Sequence, residues 1–310
     1  MRKKILIWAV CVFAFPLVSL RAEPEDWGRL IHRKDSLYNT IFVYQRGPIV
    51  TLRFGRRGGV PIQSQVHLEE LHRHMLEYTE MTFCGLLYQP RPQRMLVLGL
   101  GGGVIPRQMR DFFPEAQIDV VEIDEAIVPI AKRYFAFADD DTLKVHVEDG
   151  RVFIKKQLRL ETPPQYDLIV LDAFNGDYIP FHLMTREFLR EVRGVLAEGG
   201  VVVANVFSTS RLFDAELATF LAVFGQCHVY LGRESGNAML VSQAADDPLP
   251  EGETLIDRAR DLQEKHRFSF NLITVAKCIR PTLRPEKNAN VLTDDRAPVN
   301  YLRQQERNVD

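Results

Sequence analysis

Short apolar runs alternate with stretches of helical spacing between residues 95 and 245. The runs are continuously apolar, so the strands that they predict are buried on both faces. Burial on both faces is typical of a parallel sheet that is covered by helices. The apolar runs are "RMLVLGL", "QIDVVEID", "LKVHVEDG", "YDLIVLDAF" and "GGVVVANVF".

Two further apolar runs, "CHVYLG" and "AMLVSQ", flank the turn residues "RESGN" late in this region. This pattern predicts a β-hairpin. The region is therefore predicted to be an α/β fold whose parallel sheet closes with a C-terminal antiparallel hairpin. This arrangement is the usual layout of class I S-adenosylmethionine-dependent, Rossmann-like folds.

A small antiparallel β unit is predicted ahead of this sheet. The alternating runs "TIFVYQ" and "IVTLRFG" lie between residues 40 and 66 and are separated by turn residues. After them, apolar residues recur every three or four positions from Leu68 to Leu86, which predicts an amphipathic helix. The segment "QPRPQ" ends that helix.

The N-terminus resembles a secretory signal. Basic residues at positions 2–4 precede an apolar run over residues 5–20, which is short for a membrane span. If cleavage follows Ala22, Leu20 stands three residues before the cut, where signal peptides usually have a small residue. An uncleaved membrane anchor is therefore the alternative. In both cases we expect an exported protein, periplasmic, secreted or anchored through residues 5–20.

Four parts of the chain follow from these patterns. We expect a signal peptide or membrane anchor over residues 1–22, the β unit and its helix over 23–90, the Rossmann-like nucleoside-binding domain over 91–245, and a C-terminal helical cap and tail over 246–310.

Composition excludes several classes of partner. The chain has 310 residues, is 46% hydrophobic and carries a formal charge of −2, so it has no basic footprint for nucleic acid. Membrane contact is expected only through the N-terminal segment. Four widely spaced cysteines without a CxxC pair argue against a zinc site and a disulfide framework. We therefore expect no metal site.

Glycines and carboxylates stand at the carboxyl ends of successive predicted strands. Ligands of open α/β sheets bind outside these strand ends, so the residues there are candidates for a ligand site. They are Gly99, Gly101, Gly102 and Gly103 after the first strand, Glu122 and Asp124 after the second, Asp149 and Gly150 after the third, and Asp172 after the fourth.

The glycine turn by itself could hold a dinucleotide pyrophosphate. The dinucleotide fingerprint requires a third glycine for helix packing, and Val104 occupies that position. Glu122 lies 19 residues after Gly103, which suits an acid that binds ribose hydroxyls in a dinucleotide or an adenosylmethionine site.

The third strand favours an adenosyl nucleoside. Asp149, beside Gly150, can accept a hydrogen bond from the exocyclic amine of adenine. The alternative is that Glu122, Asp124 and Asp149 only cap helices and loops. The order of the three acids favours a ligand site over this alternative.

Several segments together resemble the spermidine synthase family, the polyamine aminopropyltransferases, and its spermidine synthase-like variants. The resemblance covers about residues 36–245. The segments are "LVLGLGGG", "VVEIDEAIV", "VHVEDGRVFI" and "YDLIVLDAFNGDYIP", with "SLYNTIFV", "VPIQS" and "EYTEM" upstream.

The resemblance implies transfer of an aminopropyl group from decarboxylated S-adenosylmethionine to an amine. It assigns Asp172 as the base, Glu122 to the ribose and Asp149 to the adenine, with the glycines of the turn and Gly150 beside the nucleoside. It also implies no permanently bound cofactor, a small amine substrate, and a homodimer as one option. The residues that would line the donor and amine pocket are Asn39, Gln63 and Tyr78.

Two positions depart from the family pattern. Gly102 stands where the family has an aspartate that holds the aminopropyl ammonium, so ordinary S-adenosylmethionine becomes an alternative donor. Asn175 replaces the second acceptor aspartate, and Asp177 could take over that role if the loop is re-routed.

Two alternatives follow from these departures. One is a methyltransferase on the same fold, and the other is an exported protein that keeps the fold without turnover. Export also conflicts with a donor that is made in the cytosol, which favours the second alternative. Aminopropyl transfer remains the leading hypothesis.

Overall fold

The computed structural model describes residues 27–55, 62–174, 179–244, 248–281 and 283–295. The predicted signal peptide or anchor at residues 1–22 lies outside the described residues, as do Asn175, Asp177 and the tail from residue 296 onward. Within the described ranges, no helix has the length and apolar character needed to cross a bilayer.

The chain begins with a four-stranded antiparallel sheet, in the order β1-β2-β3-β4. Apolar residues of β2 and β3 that alternate along each strand are buried, among them Ile41, Val43 and Leu52. The predicted β unit is thereby confirmed, with an additional strand at each edge. Its strands are β1 (Arg29–Asp35), β2 (Thr40–Arg46), β3 (Ile49–Phe54) and β4 (Ile62–His67).

The predicted helix over residues 68–86 is wrong in its first half. The structure has turns after β4, then a short helix α1 (Glu77–Met81) and a 3₁₀ turn over Thr82–Leu87. The carbonyl of Leu71 accepts a hydrogen bond of 2.7 Å from Arg107, so it is taken by a side chain and not by a helical N–H. Tertiary contacts thus override the helical spacing of the sequence.

A seven-stranded sheet forms the centre of the molecule, in the order β10-β11-β9-β8-β5-β6-β7. Five strands run parallel, and β10 and β11 form an antiparallel hairpin beside β9. The strands are β5 (Arg94–Leu98), β6 (Gln117–Glu122), β7 (Leu143–Val147), β8 (Tyr166–Leu171), β9 (Leu196–Phe207), β10 (His228–Leu231) and β11 (Asn237–Gln243). The predicted α/β class and its closing hairpin are confirmed.

Helices cover both faces of this sheet. Alternate residues of β8 belong to two different apolar clusters: Leu168 and Val170 to one, Ile169 and Leu171 to the other. The helices are α2 (Val104–Phe112), α3 (Ile127–Tyr134), α4 (Gly150–Leu158), α5 (Arg186–Val195), α6 (Phe213–Phe224), α7 (Glu253–His266) and α8 (Leu272–Ala276).

Gly99 allows the ends of β5 and β8 to approach each other closely. Its φ is +103°, and a Cβ at this position would overlap the carbonyl group of Asp172. The backbone N–H of Asp172 donates a hydrogen bond of 2.9 Å to the carbonyl of Leu98. A bare backbone at residue 99 therefore brings Asp172 next to the glycine turn.

Replacement of Gly99 by alanine tests this close approach. Gly225 is a matched control because its φ is +78° and a Cβ there would meet nothing within 4 Å. We expect Gly225→Ala to cost about 1–2 kcal/mol through backbone strain alone. Gly99→Ala should cost at least about 1 kcal/mol more, because its Cβ overlaps fixed backbone. Urea unfolding measures both values, and equal losses would contradict the account.

Candidate active site

A cavity of about 290 Å³ opens at the carboxyl ends of β5, β6, β7 and β8. Residues of the small sheet and of α1 close its other side. Most of the residues that the sequence singled out meet here, although they come from distant parts of the chain. The cavity is lined by Asn39, Gln63, Tyr78, Gly99, Gly101, Glu122, Asp149, Gly150 and Asp172.

Two of the described residues that were named from the sequence do not line the cavity. Gly102 and Gly103 are buried behind its wall, in the turn that leads into α2. Asn175 and Asp177 lie outside the described residues.

The strand order places the functional groups in a row. The neighbours β8, β5, β6 and β7 carry Asp172, the glycine turn, Glu122 and Asp149 in that spatial order. Neighbouring strands lie about 4.8 Å apart, so the row spans roughly 14 Å. This length suits an elongated ligand that lies across the strand ends.

Asp172 is a half-buried carboxylate at the end of β8. Its Oδ1 accepts a hydrogen bond of 2.8 Å from the Asn205 side chain, and its Oδ2 accepts none from the described residues. Burial raises the pKa of Asp172 to about 7, and the Asn205 hydrogen bond partly opposes that rise. The carboxyl can therefore gain or lose a proton near neutral pH.

A second amide fixes the orientation of Asn205. The side-chain NH₂ of Asn237 donates a hydrogen bond of 2.9 Å to Asn205 Oδ1. This bond leaves the NH₂ group of Asn205 to face Asp172. The chain from Asn237 through Asn205 thus positions one oxygen of Asp172 and leaves the other open to the cavity.

Tyr78 stands opposite this carboxylate. Its hydroxyl donates a hydrogen bond of 3.0 Å to the carbonyl of Gln63, which ties α1 to β4. Burial and the nearby charge of Asp172 both raise the pKa of Tyr78, so its hydroxyl stays neutral. The phenol oxygen can still accept a hydrogen bond from a ligand.

Glu122 shapes the glycine turn. Its two oxygens accept hydrogen bonds from the backbone N–H groups of Leu100, at 3.0 Å, and Asp124, at 2.9 Å. Burial raises the pKa of Glu122, while these bonds oppose the rise. The backbone N–H of Gly101 also bonds to this carboxylate, which leaves about one of its four acceptor sites for a hydroxyl of a ligand.

Asp124 supports the loop and the entrance to the cavity. It accepts hydrogen bonds from the backbone N–H of Ala126 and from the hydroxyl of Ser36, which lies between β1 and β2. Asp124 is therefore a loop acid and does not cap α3, whose first turn has no side-chain cap. It joins the small sheet to the end of β6.

Asp149 combines capping with a place in the cavity. It caps α4 through two backbone N–H bonds of 2.9 Å, from Arg151 and Val152 to Oδ1. Its Oδ2 lies 2.8 Å from His182 Nε2. The His182 hydrogen bond is the main cause that lowers the pKa of Asp149, so this carboxylate is ionised at neutral pH.

The lining of the cavity is acidic. Among the described residues that line it, five are carboxylates and none is lysine or arginine. Such a wall favours a positively charged ligand over an anionic one. The five carboxylates are Glu77, Glu122, Asp124, Asp149 and Asp172.

Glu77 adds charge at the far end of the cavity. Burial raises the pKa of Glu77, but three backbone N–H bonds from residues 233–235 outweigh burial and lower it. The ionised carboxylate holds the hairpin turn between β10 and β11 against α1. No group of three metal-binding side chains occurs among the described residues.

Four side chains of the site were not predicted from the sequence: Asn205, Asn237, His182 and Glu77. Asn205 follows the apolar run "VVVA" of β9, so it could have been found by the strand-end rule that identified the acids. His182 and Asn237 carry no such signal, because only the fold brings them to Asp149 and Asn205.

Comparisons with known proteins place the chain in a family. Residues 75–231 match the spermine/spermidine synthase domain. The polyamine aminopropyltransferase of Vibrio vulnificus is 37% identical over 94% of this chain and 98% of its own length.

Two other likenesses bear on the fold and on the methyltransferase alternative. The eEF1A lysine and N-terminal methyltransferase of Mus musculus is 33% identical over 57% of this chain, which covers 26% of that protein. The structure of a probable spermidine synthase from Corynebacterium glutamicum has a TM-score of 0.66 at 21% identity. The match covers 87% of this chain and 98% of the chain in that structure. At that identity the likeness shows the fold.

The raised pKa of Asp172 predicts a pH-dependent loss of stability. Its pKa is about 7 in the folded protein and near the ordinary 3.8 in the unfolded chain. Its stabilising contribution is therefore full below about pH 4 and is lost as the pH rises through 7. We therefore compare the free energies of unfolding at pH 5 and pH 8. The advantage of Asp172→Asn over the unaltered protein should be larger at pH 8 than at pH 5, by on the order of a kcal/mol or more.

Urea unfolding at both pH values measures this gain. Asp257→Asn is the control, because that side chain is 62% exposed and pairs with Arg260 on the surface. Its effect on the free energy of unfolding should stay within about 0.5 kcal/mol at both pH values. A pH-independent effect of Asp172→Asn would contradict the raised pKa.

Proposed function

Because the chain belongs to the spermine/spermidine synthase domain family, we propose that it transfers an aminopropyl group from decarboxylated S-adenosylmethionine to an amine of a polyamine. The observation that carries this proposal is the carboxylate of Asp172. One of its oxygens is open to a cavity whose other charged walls are acidic. Both substrates are cations, so this wall suits them.

The row of strand ends supports a position for each part of the donor. The adenine lies at Asp149 and Gly150, the ribose hydroxyls lie at Glu122, and the sulfonium lies over the glycine turn after β5. The reacting carbon then faces Asp172 on β8, with Tyr78 on the opposite wall. The homologue from Vibrio vulnificus is named for this same transfer.

The reaction is a displacement at the carbon next to the sulfonium. The amine nitrogen forms a bond to that carbon while the carbon–sulfur bond breaks and its electron pair returns to sulfur. Methylthioadenosine leaves as a neutral thioether. The proton that the amine loses passes to Oδ2 of Asp172.

Asp172 is needed because a protonated amine is not a nucleophile. An amine with a pKa near 10.4 requires roughly 4–5 kcal/mol to reach its neutral form at pH 7. A carboxylate within hydrogen-bond reach can take that proton, and a base with a pKa near the working pH does so most effectively. The pKa of about 7 of Asp172 meets that condition.

Methyl transfer is the second candidate, and one observation favours it. The 33% identity to a lysine methyltransferase extends over 57% of the chain. Transfer of the methyl group would release S-adenosylhomocysteine from ordinary S-adenosylmethionine. Methylthioadenosine would not form, so the nucleoside product separates the two reactions.

The nucleoside product tests the proposed function. We expect the protein, incubated with decarboxylated S-adenosylmethionine and a mixture of di- and triamines, to release methylthioadenosine. Asp172→Asn should lower the rate by about 10²–10⁴-fold, the usual contribution of a positioned base. Mass spectrometry identifies the nucleoside and measures the rate.

Two controls make this result specific. Asp257→Asn should leave the rate unchanged, because Asp257 lies on the exposed side of α7, away from the cavity. The second control is a parallel incubation of the protein with ordinary S-adenosylmethionine and the same amines. Release of S-adenosylhomocysteine without any methylthioadenosine would establish methyl transfer and reject the proposal.

A further inference from the structure

Ser64 is the one hydroxyl side chain that β4 contributes to the cavity wall. The residue is 3% exposed and lines the cavity directly in front of the glycine turn. A Cβ added at Gly101 would lie 3.8 Å from the Ser64 Cβ, and one added at Gly102 would lie 2.5 Å from its Oγ. Ser64 therefore covers the turn on the cavity side.

Gly102 is glycine because Ser64 and Phe135 leave it no room. A Cβ at Gly102 would also lie 2.7 Å from the buried ring of Phe135. Gly102 itself is buried and is absent from the cavity lining. The polar group that a ligand meets above this turn is thus the hydroxyl of Ser64.

This hydroxyl is free to bind a ligand. It makes no hydrogen bond with the described residues, whereas the nearby carboxylate of Glu122 already accepts bonds from Leu100 and Asp124. A serine hydroxyl can donate one hydrogen bond and accept two. It can therefore bind an ammonium, a carboxylate, or an amino acid group that carries both.

The part of the donor that lies here is its tail. In the proposed function, on which this inference rests, the sulfonium lies over the glycine turn between the ribose at Glu122 and the reacting carbon at Asp172. The tail beyond the sulfur then extends over the turn toward β4. Its polar end meets a neutral hydroxyl, and both donors carry an ammonium group in that tail, so both present a positive charge to the acidic lining.

We propose that Ser64 sets the donor specificity of the site by recognising the polar end of the tail without charge. The site then accepts adenosyl sulfonium compounds with a bare aminopropyl tail and those with a complete amino acid tail. Dissociation constants for decarboxylated and ordinary S-adenosylmethionine should lie within about tenfold of each other. Discrimination between the two is left to the reaction step at Asp172.

Calorimetric titration of three nucleosides tests this role independently of turnover. The ligands are decarboxylated S-adenosylmethionine, ordinary S-adenosylmethionine, and methylthioadenosine, which has no polar tail. Ser64→Ala should weaken binding of both sulfonium compounds by about 3–10-fold, the worth of one hydrogen bond. It should leave the affinity for methylthioadenosine unchanged.

Ser64→Asp reverses the neutral character of the wall. A carboxylate near the carboxylate of ordinary S-adenosylmethionine repels it in a partly buried site. In Ser64→Asp, the dissociation constant of ordinary S-adenosylmethionine divided by that of the decarboxylated compound should rise at least tenfold. Gln65→Glu is the matched control, because it adds the same charge one residue away, on the opposite face of β4. That variant should leave the ratio unchanged.

Three results would overturn the proposal. One is a difference of more than tenfold between the two donors in the unaltered protein. Another is an equal loss of methylthioadenosine binding in Ser64→Ala, which would indicate a structural role. The third is an unchanged ratio in Ser64→Asp. Absence of any nucleoside binding would reject the proposed function as well, whereas binding without methylthioadenosine release would reject that function alone.

Discussion

The site depends on the carboxylate of Asp172, which the fold holds in a place where burial disfavours its negative charge. Asp172 stands at the end of a central strand, and one hydrogen bond from Asn205 stabilises its ionised form. Burial outweighs that bond and moves the pKa of Asp172 to about 7. The protein loses stability by keeping this group in place, and the same burial makes the group a base suited to neutral pH. Gly99 and Asn237 serve this arrangement through the backbone and through Asn205.

The parallel sheet explains why acids from distant segments meet. Strand ends that are far apart in sequence become neighbours in the order β8-β5-β6-β7, so each strand needs to supply only one group. The small sheet then closes the row, since Ser36 bonds to Asp124 and Gln63 bonds to Tyr78. The result is an acidic cavity, open to a long cation. Asp149 both caps α4 and lines the cavity, because its two oxygens face different partners.

The central strands could be predicted from the sequence because a short, continuously apolar run between turn residues is typical of a strand buried on both faces. The acids at the strand ends followed from topology alone. Other elements gave no such signal: β1 is an exposed edge strand without an apolar pattern, and α6, with its nearly continuous apolar sequence, lacks a helical stripe. The helix over residues 68–86 failed because side chains of α2 take its carbonyls. Ser64 was unpredictable, since only the folded chain brings it over Gly102.

In the proposed reaction the half-buried carboxyl of Asp172 accepts the proton of the amine. The pH dependence of kcat/KM for the sulfonium donor reports the ionisation of the free enzyme, so it tests this claim directly. We expect a rise with an inflection near pH 7, where the pKa of Asp172 lies. Asn205→Leu should move the inflection to higher pH, because the bond from Asn205 lowers that pKa. A profile that is flat through pH 7, or an inflection that Asn205→Leu leaves in place, would contradict the account.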